Sequence, residues 1–192
     1  MAPRRAAAAD RPAAIRRALR EVVAERGFHG ASMSVVARRA GVAIGTAYVH
    51  YRSKDDLVVA AYVETKRALS VAAAAAVDPQ ASPRERFLAL WLGAHTHLRA
   101  APDRARFLLQ VDTSPYAAEA HARTHADDGD PLVLAATQPD MRALLVPLPP
   151  EVLYDLGLGA AVRLAAVEAD LDERQLRLAA AACWAAITAA AP

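Results

Sequence analysis

The chain has 192 residues, 55% of them hydrophobic and 23% charged, a composition that excludes a disordered chain and suffices to bury a core in one large domain, or in a small one joined to a larger one. Its single cysteine, Cys183, excludes an intramolecular disulfide and reads as a small buried hydrophobe; no secretory signal is visible, and the longest uncharged run, residues 178–191, is short of the roughly 20 apolar residues that span a bilayer, so a cytoplasmic protein with no membrane partner is expected. The net charge of +2 hides an asymmetry: residues 1–57 hold eleven Lys and Arg against five acids, and the remainder twelve against sixteen. A basic head on an acidic body fits a nucleic-acid reader joined to something else, but a solvated charged face has the same charge pattern.

Helical period dominates, and no alternating run of Val, Ile or Thr marks a sheet. The first helix starts near Asp10, a capping carboxylate, and tolerates Pro12 in its first turn. Ile15, Leu19, Val22 and Val23 form its apolar stripe, Arg16, Arg17 and Arg20 lie largely outside that stripe, and Gly27 ends the helix. Ser32 caps a second helix over about residues 33–40 that buries Met33, Val36 and Ala37. Gly41 allows a tight turn into a third helix of about two turns, residues 44–51. Ser53 caps a fourth, with Asp55 and Asp56 in the first turn where the helix dipole favours acids, continuing to about Val77 before Asp78-Pro79.

Beyond it the pattern is that of a bundle. Ser82-Pro83 opens a helix with Phe87, Trp91, His95 and Leu98 at helical spacing. Ala101-Pro102-Asp103 interrupts before a short helix over ARFLLQVD, and Ser114-Pro115 starts another segment. The DDGDP run at 127–131 is read as a solvated turn, because it lacks the twelfth-position Glu of a calcium loop. Pro147, Pro149 and Pro150 precede a helix expected over 151–169, and a final helix is expected from Asp172 to about Ala190.

Two helices joined through a glycine turn have the form of a helix-turn-helix, whose second helix lies in the DNA major groove. In the third helix Ala47 and Tyr51, with Val42, pack inward; Ile44, Gly45, Tyr48 and Val49 face outward, flanked by Thr46 and His50. An exposed Ile, Tyr and Val on one small helix suit a surface that meets DNA. The small Ala43 and Gly45 let the backbone approach the groove, Thr46, Tyr48 and His50 reach phosphate oxygens, and Lys54 adds a cation beside a helix N-terminus. Ser32 and Arg38 complete the expected DNA-facing set. Arg4, Arg5 and Arg11 form either a minor-groove arm or a plain basic tail.

The ordered set Gly27-Phe28, Ser32, Ala40-Gly41-Val42, Gly45-Thr46-Ala47-Tyr48, Tyr51 and Ser53-Lys54-Asp55-Asp56-Leu57 resembles the DNA-binding domain of the tetracycline-repressor (TetR) family. The match spans about a quarter of the chain. Three positions depart from the family pattern: Ala43 stands where Ser or Thr is usual, which removes a cap of about 1 kcal/mol; Ala47 replaces a Leu; and Ile44 occupies a position often held by a polar base reader, leaving it a thymine methyl or DNA shape to read. The resemblance implies an all-α fold, with a helix-turn-helix domain over 1–57 and a ligand-binding and dimerisation bundle over 58–192. It implies a homodimeric repressor that binds a double-stranded DNA operator and is released by a small-molecule effector, with no cofactor.

For the bundle, the resemblance implies an apolar ligand cavity and a four-helix subunit interface. The polar and aromatic side chains on otherwise apolar helices nominate Trp91, His95, Leu98, Phe107, Gln110, Val111, Tyr116, His121 and Tyr154 for the cavity. Helical faces rich in small residues nominate Leu153, Gly157, Ala161, Leu176, Ala180 and Trp184 for the interface; the alternative is that these faces serve only the subunit core. His121 and His125 stand four apart, a spacing that can hold a metal, with Asp127, Asp128 and His95 nearby as further donors. There is no HExxH, GxSxG, GxGxxG or Walker pattern, so neither an enzyme nor a metal site is expected. A helical protein-interaction module with a degenerate head is the competing non-enzymatic reading.

Overall fold

The computed structural model describes residues 11–125 and 129–189. Arg4, Arg5, Asp10, Asp127 and Asp128, and the side chain of His125, lie outside the described residues. Among the described residues the chain forms twelve helices and one isolated antiparallel bridge, Leu145 with Thr188. It divides into two compact units, residues 1–65 with 106–126, and residues 66–105 with 127–192.

In the first unit, α1 (Arg11–Gly30) buries Ile15, Leu19, Val22 and Val23, as its period requires. Gly27 interrupts it at φ 67°, ψ −179°, a conformation open essentially to glycine alone, so the regular helix ends there and a short turn follows. Arg20 departs from expectation: it is buried, because Glu64 supplies an acceptor for its guanidinium at 2.6 Å. The second helix, α2 (Met33–Arg39), is capped by Ser32, whose Oγ accepts from the Val35 amide, and buries Met33, Val36 and Ala37. Gly41, at φ 69°, makes the turn into α3 (Ile44–His50). Ser53 Oγ accepts from the Asp56 amide at the start of α4 (Lys54–Ala74). That helix stops short of Val77, whose amide turns back onto the Ala74 carbonyl and tightens the chain out of α-geometry. The unit is completed by the last part of α6 (Pro102–Asp112) and by α7 (Ala117–His125).

In the second unit α5 (Pro83–Arg99) is central, and its N-terminus carries a reciprocal capping box between Ser82 and Glu85. It buries Phe87, Leu90, Trp91, Ala94, His95 and Leu98. The segment after Asp130 forms two short helices, α8 (Pro131–Thr137) and α9 (Pro139–Arg142). The last acid of the DDGDP run is not part of a solvated turn. Asp130 is buried, caps α8 by accepting from the Leu132 amide at 2.8 Å, and accepts from Ser70 Oγ at 2.7 Å.

The single helix expected over 151–169 is two, α10 (Pro150–Leu156) and α11 (Gly159–Ala166). The break falls at Gly157, whose backbone leaves helical geometry at φ −92°, ψ −96°. A Cβ there would lie 2.9 Å from the Leu153 carbonyl oxygen and 3.6 Å from both Phe87 and Ile187, so only a bare backbone fits the bend. The final helix, α12 (Glu173–Ile187), starts on Asp172 in a second capping box and ends where Thr188 bridges to Leu145. Both α11 and α12 pack on α5. Cys183 is half-buried, not fully buried as expected.

Candidate nucleic-acid interface

Seven residues of α3 divide into two faces. Ala47 is fully buried and Tyr51, the C-cap residue, nearly so, while Val42 is partly covered. Ile44, Tyr48 and Val49 are 48%, 51% and 81% exposed. Ala43, Gly45 and His50 are exposed and Thr46 is half-buried. An added Cβ on Gly45 would meet nothing within 4 Å, so its bare backbone is an open approach surface. Ala43 gives the helix no side-chain cap. Ser32 is exposed but already engaged as the cap of α2, with its Oγ also 2.9 Å from Ser34 Oγ; Arg38 is exposed on the same helix.

Ion pairing sorts the basic residues of this unit. Arg16 and Arg20 share Glu64, one on each carboxylate oxygen, at 2.5 and 2.6 Å. Burial pushes the Glu64 carboxyl up, but hydrogen bonds from Arg16 and Arg20 outweigh it and hold the group below its ordinary value. Arg39 is held by Glu25 and Glu21, which raises its pKa, and the same bond from Arg39 lowers that of Glu25. Arg11, Arg17, Arg38 and Arg52 are exposed and form no ion pair among the described residues. Arg52, which follows α3 directly, was not singled out from the sequence; its signal is a cation in the short link between an exposed helix and the Ser53 cap.

Lys54 has a different setting from the one its position suggested. Its ammonium donates to the Phe28 carbonyl at 2.5 Å and lies 5.9 Å from the centre of the Phe28 ring, closing the turn after Gly27. An ammonium has three protons, so donors remain for an outside acceptor, and the side chain is half-exposed.

The nine residues nominated for a ligand cavity fall in both units. In the first, Phe107 and Val111 are fully buried, Gln110 Nε2 donates to the Val23 carbonyl at 3.0 Å, and Tyr116 packs its ring 5.0 Å from that of Phe28. His121 sits 2.9 Å from Asp112 Oδ1 with its ring 5.7 Å from Tyr62, and Tyr62 bonds the same carboxylate. In the second unit Trp91, His95 and Leu98 are buried, with the rings of Trp91 and His95 nearly parallel at 5.9 Å, and Tyr154 holds Lys66 at 2.9 Å. Burial holds the His95 imidazole below its ordinary pKa, with Arg99 adding to the shift, and His95 Nε2 has no hydrogen-bond partner. An open groove of about 750 Å³ in the second unit is lined by Arg84, Leu88, Leu92, Arg177, Leu178 and neighbours, and by none of the nine. Among the described residues no group of three or more His, Cys, Asp and Glu is placed to hold a metal ion.

Of the residues nominated for a subunit interface, Gly157, Ala161 and Ala180 are buried within the second unit itself. Packing around α5 covers that small-residue face, and a fully covered alanine has no surface to give to a second chain. Leu153, Leu176 and Trp184 are half-exposed, and the Trp184 ring lies 5.4 Å from Phe87. The apolar side chains these helices leave open are Val152, Leu156, Val167 and Leu178.

Comparison with known proteins meets this geometry at both ends of the chain. Residues 15–61 match the family model for bacterial regulatory proteins of the tetR family, and residues 83–188 match that of a tetracyclin repressor-like C-terminal domain. A fatty acid metabolism regulator protein of Bacillus subtilis is 29% identical over 92 residues, covering 48% of this chain; the chain spans about half the length of that curated relative, 47% of it. Among solved structures, a TetR-family transcriptional regulator of Haemophilus influenzae has the same fold, with a TM-score of 0.78 and 23% identity over 95% of this chain and 99% of that one. A TetR-family regulator structure from Vibrio parahaemolyticus is 28% identical with a TM-score of 0.69, covering 93% and 98%. No described helix is long and apolar enough to cross a membrane. The chain belongs to the tetR family and is a transcriptional regulator with a DNA-binding helix-turn-helix.

Proposed function

We propose that the protein is a cytoplasmic, homodimeric repressor that reads an imperfect palindrome with α3 and leaves it when a small molecule binds the second unit. The observation that carries the reading is the outward face of α3: Ile44, Tyr48 and Val49 stand exposed on a helix whose other face is anchored by Ala47 and Tyr51. An apolar and aromatic face is costly in water unless something covers it, and contacts to thymine methyls and sugar edges do so. Thr46, Tyr48, His50, Ser32, Arg38 and Lys54, with Arg52, are the phosphate and edge contacts of this reading, and Ala43 and Gly45 allow the close approach. Two such helices in a dimer, about 34–36 Å apart or slightly more, reach successive major grooves.

Trp91, His95 and Leu98 are the residues favoured for effector contact, because they combine burial with a ring nitrogen that has no partner in His95. Release follows if the effector favours the state whose two heads do not fit the operator. The relative named for fatty acid metabolism makes acyl compounds a reasonable first set of effectors to screen. Subunit pairing is assigned to the half-exposed Leu153 and Leu176 together with the open Leu156 and Leu178.

The test is a gel-shift titration of the chain on duplex DNA from upstream of its own coding sequence, at several salt concentrations, against a scrambled duplex of equal length. A repressor of this kind binds the first duplex more tightly, with a steep salt slope and two chains per site. Equal affinity for both duplexes, or no salt dependence, favours a protein-interaction module with a degenerate head.

A further inference from the structure

A seven-residue helix with no side-chain cap is not stable or oriented on its own, since nucleation costs more than two turns return. The direction in which α3 presents Tyr48 and Val49 is therefore set by its buried anchors, Ala47 and Tyr51. Ala47 is small and fixes contact more than angle. Tyr51 carries the polar handle: its hydroxyl donates to the Pro12 carbonyl at 3.2 Å and accepts from Arg16 Nη1 at 2.6 Å. Arg16 reaches the hydroxyl with one arm while its other, Nη2, is held by Glu64 Oε1 at 2.5 Å, and Arg20 takes Oε2 at 2.6 Å. The Nε atoms of Arg16 and Arg20 are buried and have no partner, so Glu64 is the acid that fixes both guanidinium groups.

We infer that Glu64 is a positioning residue for DNA reading, acting through Arg16 on Tyr51 to set the orientation of α3. The inference rests on the assignment of α3 as the DNA-reading helix. Among the described residues Glu64 forms no hydrogen bond or ion pair with the exposed α3 side chains, and its negative charge opposes DNA binding by simple Coulomb repulsion. The two views therefore predict opposite signs. If Glu64 is only a surface acid of a basic head, Glu64→Gln raises affinity for DNA. If it is a positioning residue, the same change weakens binding, because the amide offers one acceptor where two arginines need two and leaves a half-buried guanidinium without a counter-charge.

The experiment compares the full-length parent, Glu64→Gln, Tyr51→Phe and the double variant on the upstream duplex and on the scrambled duplex, and follows amide hydrogen exchange of each without DNA. The expected result is a roughly tenfold loss of affinity for the upstream duplex in each single variant, with the salt slope unchanged and the double variant little worse than either. Exchange protection at Ala47 and Tyr48 falls in both, while that of Val36 and Ala37 in α2 is kept. Tighter or unchanged binding by Glu64→Gln, fully additive losses, or unaltered protection of α3 would each overturn the inference. If Glu64→Gln fails to fold, Tyr51→Phe, which removes only an oxygen, decides alone: unaltered protection of α3 overturns it. The exchange readout needs no DNA, so a parent that binds no duplex sinks the assignment of α3 while leaving the Glu64 relay separately tested.

Discussion

Gln110 Nε2 donates to the carbonyl oxygen of Val23 at 3.0 Å, a bond between residues 87 apart in sequence. That carbonyl belongs to the last helical turn before the break at Gly27, and it has a second lone pair to offer a side chain. A side chain from α6 thus caps the C-terminal end of α1, as Lys54 does for Phe28. Replacing Gln110 with Leu removes the donor and leaves a half-satisfied carbonyl, a loss of about 1 kcal/mol. Urea unfolding followed by circular dichroism should show a lower midpoint at constant slope; an unchanged midpoint would mean water replaces the bond without cost.

What could be read from the sequence had short-range physical causes. Ser32, Ser53 and Ser82 cap helices because the bonds they make lie within three residues, and the Ala47/Tyr51 against Ile44/Tyr48/Val49 division of α3 follows from helical period alone. What could not be read depends on partners distant in the chain. Arg20 is buried only because Glu64 lies opposite; Gln110 and Tyr116 were nominated for a cavity, yet they serve Val23 and Phe28 in the first unit. Small residues such as Ala161 and Ala180 permit close packing without saying whether the neighbour is the same chain or another, and here α5 takes that place. The break at Gly157 was missed because an isolated glycine within an apolar run is tolerated in many helices.

Gly27→Ala tests the turn after α1. At φ 67°, ψ −179° a side chain is strained whatever the surrounding space, and the nearest neighbour of a new Cβ, Gln110 Oε1, is an ordinary 3.8 Å away. The cost is therefore conformational, about 1–3 kcal/mol, and alanine's better helix propensity gives nothing back at a non-helical position. A thermal midpoint equal to the parent's would show that the chain can refold this turn as continuous helix.

Arg38 and Arg39 are adjacent on α2 but differ in how free their charges are. Arg38 has no ion pair among the described residues, whereas Arg39 is committed to Glu25 at 2.7 Å and to Glu21 at 3.3 Å. Arg38→Gln is expected to weaken binding to the upstream duplex and reduce the slope of log affinity against log salt by about one. Arg39→Gln is expected to change the slope less. Equal reductions in slope would mean that Arg39 leaves its acids for a phosphate on binding.

The buried His95 makes stability depend on pH in a window separate from that of the carboxylates. Burial first, and Arg99 second, hold its folded pKa below the ordinary 6.5, so the unfolded chain takes up the proton before the folded one does. Its contribution is therefore complete above pH 6.5 and is lost as pH falls from there through the lower, folded value. His97, depressed by burial and by Arg104, acts in the same direction. Glu64 and Glu25 have depressed values, so their own losses come only in more acidic solution, below the ordinary 4.5. Thermal midpoints measured from pH 8 downward should begin to fall near pH 6.5 in the parent, and less steeply in His95→Gln, which keeps a polar side chain but cannot titrate. Parallel curves for the two proteins would show that the folded protein accommodates the His95 proton as readily as the unfolded chain, contrary to an imidazole buried on α5 with its ring nearly parallel to that of Trp91.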